Sequence, residues 1–135
     1  MAVSIGLMSE VTVHVGGHVT LLFSVNSKQL LARNQGSKGA GFCLEDGVVS
    51  TVRILNEETD RVSVRAMDGE IFAEGNDLYL ELLQSFRGVF NIESAVEIEV
   101  ELELPISQGF GMSAAGLLAT SLALGELFDR GDEGQ

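Results

Sequence analysis

The alternating stretch at residues 95–104 constrains the fold of this chain more than any other part of the sequence. Apolar residues occupy positions 96, 98, 100, 102 and 104, and glutamate occupies each of the four positions between them. Because successive side chains of a strand point to opposite faces of a sheet, the pattern predicts a strand with one buried and one solvated face. Same-face residues of a strand lie about 7 Å apart, too far for one cation to bridge several glutamates, so we interpret them as the solvated face rather than a metal site.

A polar loop with glycines follows this strand after Pro105, and residues 113–129 are apolar enough for a largely buried helix. Gly109 and Gly111 permit backbone conformations closed to other residues and let N–H groups approach an anion. The helix start adds unpaired N–H groups and the positive end of the helix dipole. Ser113 adds a hydroxyl that could bind a phosphate oxygen or a phosphate-bound Mg²⁺. The segment is a candidate phosphate site, although a tight turn with a helix cap needs the same residues.

Upstream, the sequence predicts several short strands. Valines at 11, 13 and 15 alternate with polar residues, Gly16-Gly17 predicts a turn, and residues 19–25 predict a second, buried strand. Residues 26–41 gather three of the eight basic residues and are predicted to form a loop. Turn-forming residues separate three further strands, which indicates an antiparallel meander; these strands are predicted at 40–44, 48–55 and 61–67.

One more helix is predicted after the meander. Asn76 and Asp77 can cap it, Gly88 lies near its end, and its apolar face consists of Leu78, Leu82, Leu83 and Phe86. Strands and helices together predict a mixed α and β fold. A chain of 135 residues with 45% apolar residues is long enough for one domain, predicted to span residues 1–135, with Gly131 ending the last helix and residues 129–135 forming a frayed tail.

Composition and charge limit which binding partners and which cellular compartment are expected. A net charge of −12, from 20 acidic and 8 basic residues, would repel a phosphate backbone, so no nucleic acid partner is expected. No apolar run approaches the roughly 18 residues needed to cross a bilayer and no signal segment is evident, so we expect no membrane association and a cytoplasmic protein. Cys43, the single cysteine, is predicted to be a buried free thiol.

Three segments carry a resemblance to a known family. The string Pro105-Ile-Ser-Gln-Gly-Phe-Gly-Met-Ser-Ala-Ala115 resembles the phosphate loop of the galactokinase, homoserine, mevalonate and phosphomevalonate (GHMP) kinase superfamily, usually written Pro-x-x-x-Gly-Leu-Gly-Ser-Ser-Ala, with Phe110 and Met112 replacing its Leu and its first Ser. Gly17-His18-Val19-Thr20 resembles the Pro-Gly-His-Ile-Thr segment of archaeal pantoate kinases, with Gly16 in place of the proline. Residues 36–44 are similar to their Gly-Ser-Arg-Gly-Ala-Gly-Val-Cys-Leu.

The resemblance implies the superfamily's α+β N-terminal domain, with a left-handed βαβ crossover, and transfer of the ATP γ-phosphoryl group to a substrate hydroxyl with Mg²⁺. The ATP phosphates would contact Ser107, Gln108, Gly109, Phe110, Gly111, Met112, Ser113 and Ala114, and Ser113 would also contact the Mg²⁺. Candidates for the hydroxy acid substrate are His18, Arg33, Ser37 and Lys38. Pantoate, a precursor of coenzyme A, is the favoured substrate, with mevalonate, homoserine and shikimate as alternatives; no catalytic residue is identified.

Members of this superfamily are commonly longer, and nothing in the chain matches their C-terminal domain. The chain is thus expected to be a fragment, one half of a split kinase, or a degenerate protein. Uncovered apolar surface would then favour a homodimer or association with a separate C-terminal kinase half. A non-catalytic nucleotide-binding or interaction module, and a structural domain whose loop binds nothing, remain the alternatives to a kinase.

Overall fold

Two helices pack on one face of a mixed sheet in the computed structural model of the chain, which describes residues 2–5, 10–26, 36–72, 75–106 and 108–133. In chain order, the elements are β1 (Ala2–Ile5), β2 (Glu10–Asn26), β3 (Gly36–Leu55), β4 (Arg61–Ala66), β5 (Ile71–Phe72), α1 (Asn76–Phe90), β6 (Ala95–Leu102) and α2 (Met112–Glu133). Within the described residues, the strands form one sheet of order β1-β2-β3-β6-β4-β5. The predicted α+β class is confirmed.

Strand β6 lies inside the sheet, antiparallel to β3 and parallel to β4. The predicted meander was wrong on this point, because β3 and β4 follow each other in sequence but are separated in the sheet by β6. Residue alternation reports which face of a strand is buried and says nothing about which strand lies beside it. The segment β4–α1–β6 forms a parallel crossover, and its left-handedness stays a prediction.

The core lies between the sheet and the helices. The apolar residues of β6 at 96, 98, 100 and 102 are buried, as their alternation predicts. From α2, Ala119, Ala123 and Leu124 are fully buried, and Leu83 of α1 joins the same cluster. Small alanines on α2 let the helix lie close to the sheet, and one buried polar pair bridges the layers, Ser50 Oγ to Thr120 Oγ1 at 2.7 Å.

The other face of the sheet is polar and ion-paired. Arg53 of β3 donates from Nε to Glu10 of β2 at 2.5 Å and from Nη1 to Glu97 of β6 at 2.7 Å, and it lies 3.0 Å from Glu99. These carboxylates, Glu10 first, raise the pKa of the guanidinium. Two of the four alternating glutamates therefore pair with an arginine that joins three strands, as expected of a solvated face.

Two predicted turns are strand interiors. Strand β2 runs through Gly16-Gly17 with only a register shift between Gly16 and His18, and β3 runs through residues 45–47. Gly16 lies opposite Gly47, and a Cβ on Gly47 would lie 2.0 Å from the Val15 carbonyl oxygen. The glycines thus mark a bulge where two backbones come unusually close, a role that sequence alone does not separate from a turn.

Helix ends also differ from prediction. The N-cap of α1 is Gly75 in the left-handed conformation, without a side-chain cap hydrogen bond, rather than Asn76. The helix passes through Gly88 and ends at Phe90, after which Asn91 adopts the left-handed conformation at φ 52°. Asparagine tolerates this conformation better than most residues and takes the place that Gly88 was expected to hold. Helix α2 likewise passes through Gly131 to Glu133, so the tail predicted from residue 129 is helical in its backbone that far.

Beyond the bulge, β2 and β3 continue as a two-stranded arm, formed by residues 18–26 and 36–43, which pair only with each other among the described residues. The loop predicted at 26–41 is therefore strand at residue 26 and at 36–41, and its remainder lies outside the described residues. Cys43 is exposed on the arm, which corrects its predicted burial. Neither helix of the described part of the chain has the length and apolar character needed to cross a membrane.

Candidate functional site

The glycine loop, residues 108–111, presents the start of α2 to solvent. Gly109 and Gly111 have φ of 81° and 66°, conformations that other residues rarely adopt. The N–H of Ala115 donates to the Gly111 carbonyl at 2.9 Å, which leaves the N–H groups of residues 112–114 without an acceptor in the helix. The first turn of α2 holds no acidic residue, and residues 104–125 carry no charge at all in a chain with 20 acidic residues. The backbone dipole there is thus free to attract an anion.

Side chains around the loop separate into two groups. Gln108, Ser113 and Ala114 are exposed at the helix start, where an anion would lie. Met112 is only 4% exposed and points into the core, so it offers a phosphate its N–H group alone. Ser107, also predicted to contact phosphate, lies outside the described residues. The methionine that replaces the family's serine is therefore a core residue here.

The bulge of β2 docks under the glycine loop. The His18 N–H donates to the Phe110 carbonyl at 2.8 Å. A Cβ on Gly17 would lie 2.8 Å from the Met112 methyl carbon and 2.9 Å from the Phe110 carbonyl oxygen, so only a glycine leaves room for this contact. His18 and Phe110 are 92 residues apart in sequence, so two segments that each carry part of the family resemblance meet at one place.

An open cavity of about 450 Å³ lies beside the loop, between α1, the β4–β5 edge and the start of α2. Its lining is mostly apolar and comprises Val64, Phe72, Gly75, Leu78, Tyr79, Leu102, Ile106 and Leu117 together with residues 109–114. Burial raises the pKa of Tyr79 to about 12, so its hydroxyl stays neutral at physiological pH. Sequence analysis missed this cavity because its lining outside the loop shows only ordinary core patterning.

The predicted substrate residues do not all converge. His18 is exposed beside the loop, with its Cβ 3.7 Å from where a Cβ on Gly111 would stand. Lys38 is exposed in the arm. It lies five positions before Cys43, which is the cross-strand partner of His18. At about 3.4 Å per residue, that places Lys38 about 17 Å along the ribbon from His18. Ser37 precedes Lys38 in β3, and Arg33 lies outside the described residues. The roles of these three residues stay predictions.

A phosphate-bound metal ion would depend on Ser113 and the ligand itself. Among the described residues, no group of three or more histidine, cysteine, aspartate or glutamate side chains is arranged to hold a metal ion. The exposed Ser113 hydroxyl in the first turn of α2 is compatible with Mg²⁺ brought in by a nucleotide.

Comparison with known proteins gives a consistent picture. Residues 77–133 match the family described as GHMP kinases N terminal domain. The chain is 35% identical over 102 residues to pantoate kinase from Methanospirillum hungatei, covering 70% of this chain and 31% of that protein. It is 35% identical over 79 residues to mevalonate kinase from Archaeoglobus fulgidus, covering 57% of this chain and 28% of that protein. The chain thus spans about a third of the length of these curated relatives.

Solved structures of other proteins have a fold similar to that of this chain. A phosphotransferase related to the CoA biosynthesis pathway superposes with a TM-score of 0.62 at 26% identity, covering 88% of this chain and 40% of that one. Mevalonate kinase from Staphylococcus aureus MRSA252 superposes with a TM-score of 0.64 at 17% identity, covering 90% of this chain and 40% of that one, and this likeness concerns the fold alone. The matching loop, the family match over residues 77–133 and the shared fold together assign this part of the chain to the N-terminal domain of the GHMP kinase family.

Proposed function

We propose that this chain is the nucleotide-binding part of an ATP-dependent kinase that phosphorylates a hydroxyl group of a small hydroxy acid, with pantoate as the substrate. The observation that carries the proposal is the uncharged start of α2, preceded by two glycines with positive φ and opening onto an apolar cavity. A nucleotide needs both features side by side, because its phosphates are anionic and its base is a flat, largely apolar ring.

The residues divide the work accordingly. A cavity of about 450 Å³ is within the usual range for small-molecule sites, and its apolar wall suits the base. The N–H groups at the start of α2 donate to the phosphates, and the Ser113 hydroxyl completes the set of donors or faces the Mg²⁺. Mg·ATP, when bound, supplies the transferable γ-phosphoryl group. The chain contributes by positioning it and by offsetting charge, which is the main source of catalysis in phosphoryl transfer.

The acceptor substrate is placed on the other side of the loop. His18 stands at the bulge of β2, exposed and held to the loop through its own N–H. A ring nitrogen there can donate to a carboxylate or hydroxyl of a small acid lying between the arm and the start of α2. The acceptor hydroxyl would then lie close to the phosphates.

Pantoate is preferred over mevalonate on two grounds. Residues 36–44 resemble the corresponding pantoate kinase segment, and the phosphotransferase of similar fold is described as related to the CoA biosynthesis pathway. The curated relatives themselves do not separate the two, since a pantoate kinase and a mevalonate kinase share the same 35% identity. Mevalonate, homoserine and shikimate remain to be tested as competing substrates.

A protein partner belongs to the same proposal. Leu21, Leu22 and Phe42 on the arm are 57%, 71% and 63% exposed, an apolar surface unusual for a ribbon that stands clear of the sheet. We assign this surface to a second copy of the chain. A chain that is monomeric alone but binds a separately produced C-terminal kinase half would show that the latter is the partner.

The first experiment is thermal unfolding with and without Mg·ATP. A ligand that binds only the folded state at a hundred times its Kd adds about 2.7 kcal/mol, a shift on the order of 10 °C for a domain of this size. Ser113→Ala should reduce the shift and Gly111→Val should abolish it. Ser85→Ala, an exposed helix serine of α1, and Gly69→Val, at φ 89° with nothing nearby, are the matched controls and should keep the ligand shift.

The outcomes distinguish the candidate functions. A shift that is reduced or lost only in the two loop variants would place the nucleotide on the loop, and phosphorylation of pantoate by the chain, alone or with a C-terminal half, would then identify a kinase. Nucleotide binding without turnover in either preparation favours a non-catalytic nucleotide-binding module. No shift in the wild type would contradict the proposed nucleotide site and favour a structural domain.

A further inference from the structure

His18 and Thr20 share one face of the arm. The register pairs His18 with Cys43 and Thr20 with Gly41, with no shift between the two pairs, so all four residues lie on the same side of the ribbon. The Thr20 hydroxyl oxygen lies 3.4 Å from His18 Nδ1. Of the two ring nitrogens, Nδ1 therefore has a partner within the chain. Whether Nδ1 carries the ring hydrogen decides whether Nε2 accepts or donates a hydrogen bond.

The glycine opposite Thr20 gives the imidazole its place. A Cβ on Gly41 would lie 2.7 Å from His18 Nε2 and 2.9 Å from Cε1, so the ring lies against a backbone that carries no side chain. The ring edge with Nε2 thus crosses the narrow ribbon and lies over the Gly41 backbone of β3, whereas the backbone and Cβ of His18 face the glycine loop. Thr20 and Gly41 together define one orientation of the ring.

The surroundings of the two histidines differ in kind. His14 Nε2 pairs with the Glu103 carboxylate at 2.6 Å. Among the described residues, by contrast, the His18 ring bonds only to the Thr20 hydroxyl and pairs with no carboxylate. A neutral imidazole carries one hydrogen, and a hydroxyl that donates to Nδ1 leaves that hydrogen on Nε2. Nε2–H is then a donor that lies over Gly41 on this face of the arm and has no acceptor among the described residues.

We propose that Thr20 is a positioning residue: its hydroxyl donates to His18 Nδ1, holds the ring in the Nε2–H form, and so presents an N–H donor over Gly41 to an anionic oxygen bound on this face of the arm. The anion is a carboxylate of the acceptor substrate or a phosphate oxygen, two sources with the same chemistry. The identity of this anion rests on the proposed function, whereas the ring form does not. Thr20 touches the ligand only through His18.

Long-range ¹H–¹⁵N NMR spectra of the two imidazoles test the ring form directly in the full chain. The wild type should show His18 in the Nε2–H form, Thr20→Ser should keep it, and Thr20→Val, which keeps the shape but loses the hydroxyl, should release a mixture of both forms. The signals of His14, which is bonded to Glu103, should not move and report that each variant is folded. An Nδ1–H form in the wild type, or no change in Thr20→Val, would overturn the proposal.

Titration with pantoate and, separately, with inorganic phosphate identifies the anion. The ligand that occupies the site should move the His18 signals and leave those of His14 in place. Thr20→Val should weaken its binding by about twofold, because only the molecules whose ring carries its hydrogen on Nε2 can donate to the anion, and Thr20→Ser should restore it. A response to pantoate alone assigns a carboxylate, and a response to phosphate alone assigns a phosphate oxygen. If neither moves the His18 signals, the anion contact is refuted.

The two proposals can fail separately. The melting shift with Mg·ATP reports the nucleotide site on α2, and the His18 ring form reports the arm. A correct ring form and pantoate binding without an ATP shift would retain the role of Thr20 and reject the nucleotide site. An ATP shift with an unoriented His18 ring would do the reverse.

Discussion

The contact between Gly116 of α2 and Tyr79 of α1 makes a sharp test of the packing. A Cβ on Gly116 would lie 2.1 Å from the Tyr79 hydroxyl oxygen and 3.3 Å from Cζ. Ordinary carbon contacts begin near 3.4 Å, so the hydroxyl, which is fixed to a buried ring, would have to move by more than 1 Å. Crowding of this kind in a packed core costs about 1–3 kcal/mol.

The same substitution also removes a flexible glycine from a helix, which contributes about 1 kcal/mol in the opposite direction. Gly116→Ala should therefore lower the free energy of unfolding by up to about 2 kcal/mol. Gly125→Ala in the same helix, where nothing lies within 4 Å of the added methyl group, should raise it by about 0.5–1 kcal/mol. The two substitutions differ in the atoms that the added methyl group contacts, which are those of Tyr79 at position 116 and none at position 125.

Removing the obstructing atom should reverse the sign. In a Tyr79→Phe background the nearest atom to the new methyl group becomes Cζ at 3.3 Å, which small adjustments can accommodate. Gly116→Ala should then be neutral or stabilising, giving a coupling energy of about 1–2 kcal/mol between the two sites. Urea unfolding of the four proteins, with equal m-values, measures the cycle. If Gly116→Ala stabilises the wild type as much as Gly125→Ala does, or if Tyr79→Phe brings no relief, the described packing is wrong.

Three further predictions concern the sheet and the arm. The Gly47 N–H, more than the other groups around Glu103, lowers the pKa of the Glu103 carboxyl below its ordinary 4.5. The ionised carboxylate therefore contributes its full stabilisation of the folded state above about pH 4.5, and this contribution is lost as pH falls through the lower folded pKa. Glu103→Gln should cost about 1 kcal/mol at pH 7 and nothing at low pH, in unfolding measured across pH. Arg53→Lys should lose about 1 kcal/mol by urea unfolding, because an ammonium cannot reproduce the spread of guanidinium contacts to carboxylates on two strands. Leu22→Glu or Phe42→Glu should convert a dimer to a monomer in sedimentation equilibrium; a wild-type monomer at high concentration would contradict the assigned partner.

Sequence patterns predicted those features of the fold that depend on a single strand or helix. The buried face of β6 and the apolar character of α2 follow from residue periodicity, which depends on local geometry. The position of β6 between β3 and β4 depends on long-range pairing and leaves no local trace. Glycines were the most ambiguous residues: Gly16-Gly17 indicated a turn and Gly88 a helix end, yet the first forms a bulge and the second lies inside α1.

The candidate site divides in the same way. Gly109, Gly111 and Ser113 could be assigned from the order of strand, glycines and helix, because an anion needs those features together. His18 could be assigned only from the family resemblance, and its neighbours Thr20 and Gly41 become visible only through cross-strand register. The apolar cavity could not be predicted, because a residue that lines a cavity and a residue that fills a core look alike in sequence.

The hydrogen bond from the His18 N–H to the Phe110 carbonyl would couple the two proposed ligand sites thermodynamically. A ligand that orders the glycine loop would also order the bulge that carries His18. A second ligand would then cause a smaller loss of conformational entropy on binding, because this part of the chain is already ordered. Nucleotide and hydroxy acid should therefore each tighten the binding of the other, by one and the same factor in both directions. The order of addition would then affect the kinetics of assembly and leave the stability of the ternary complex unchanged.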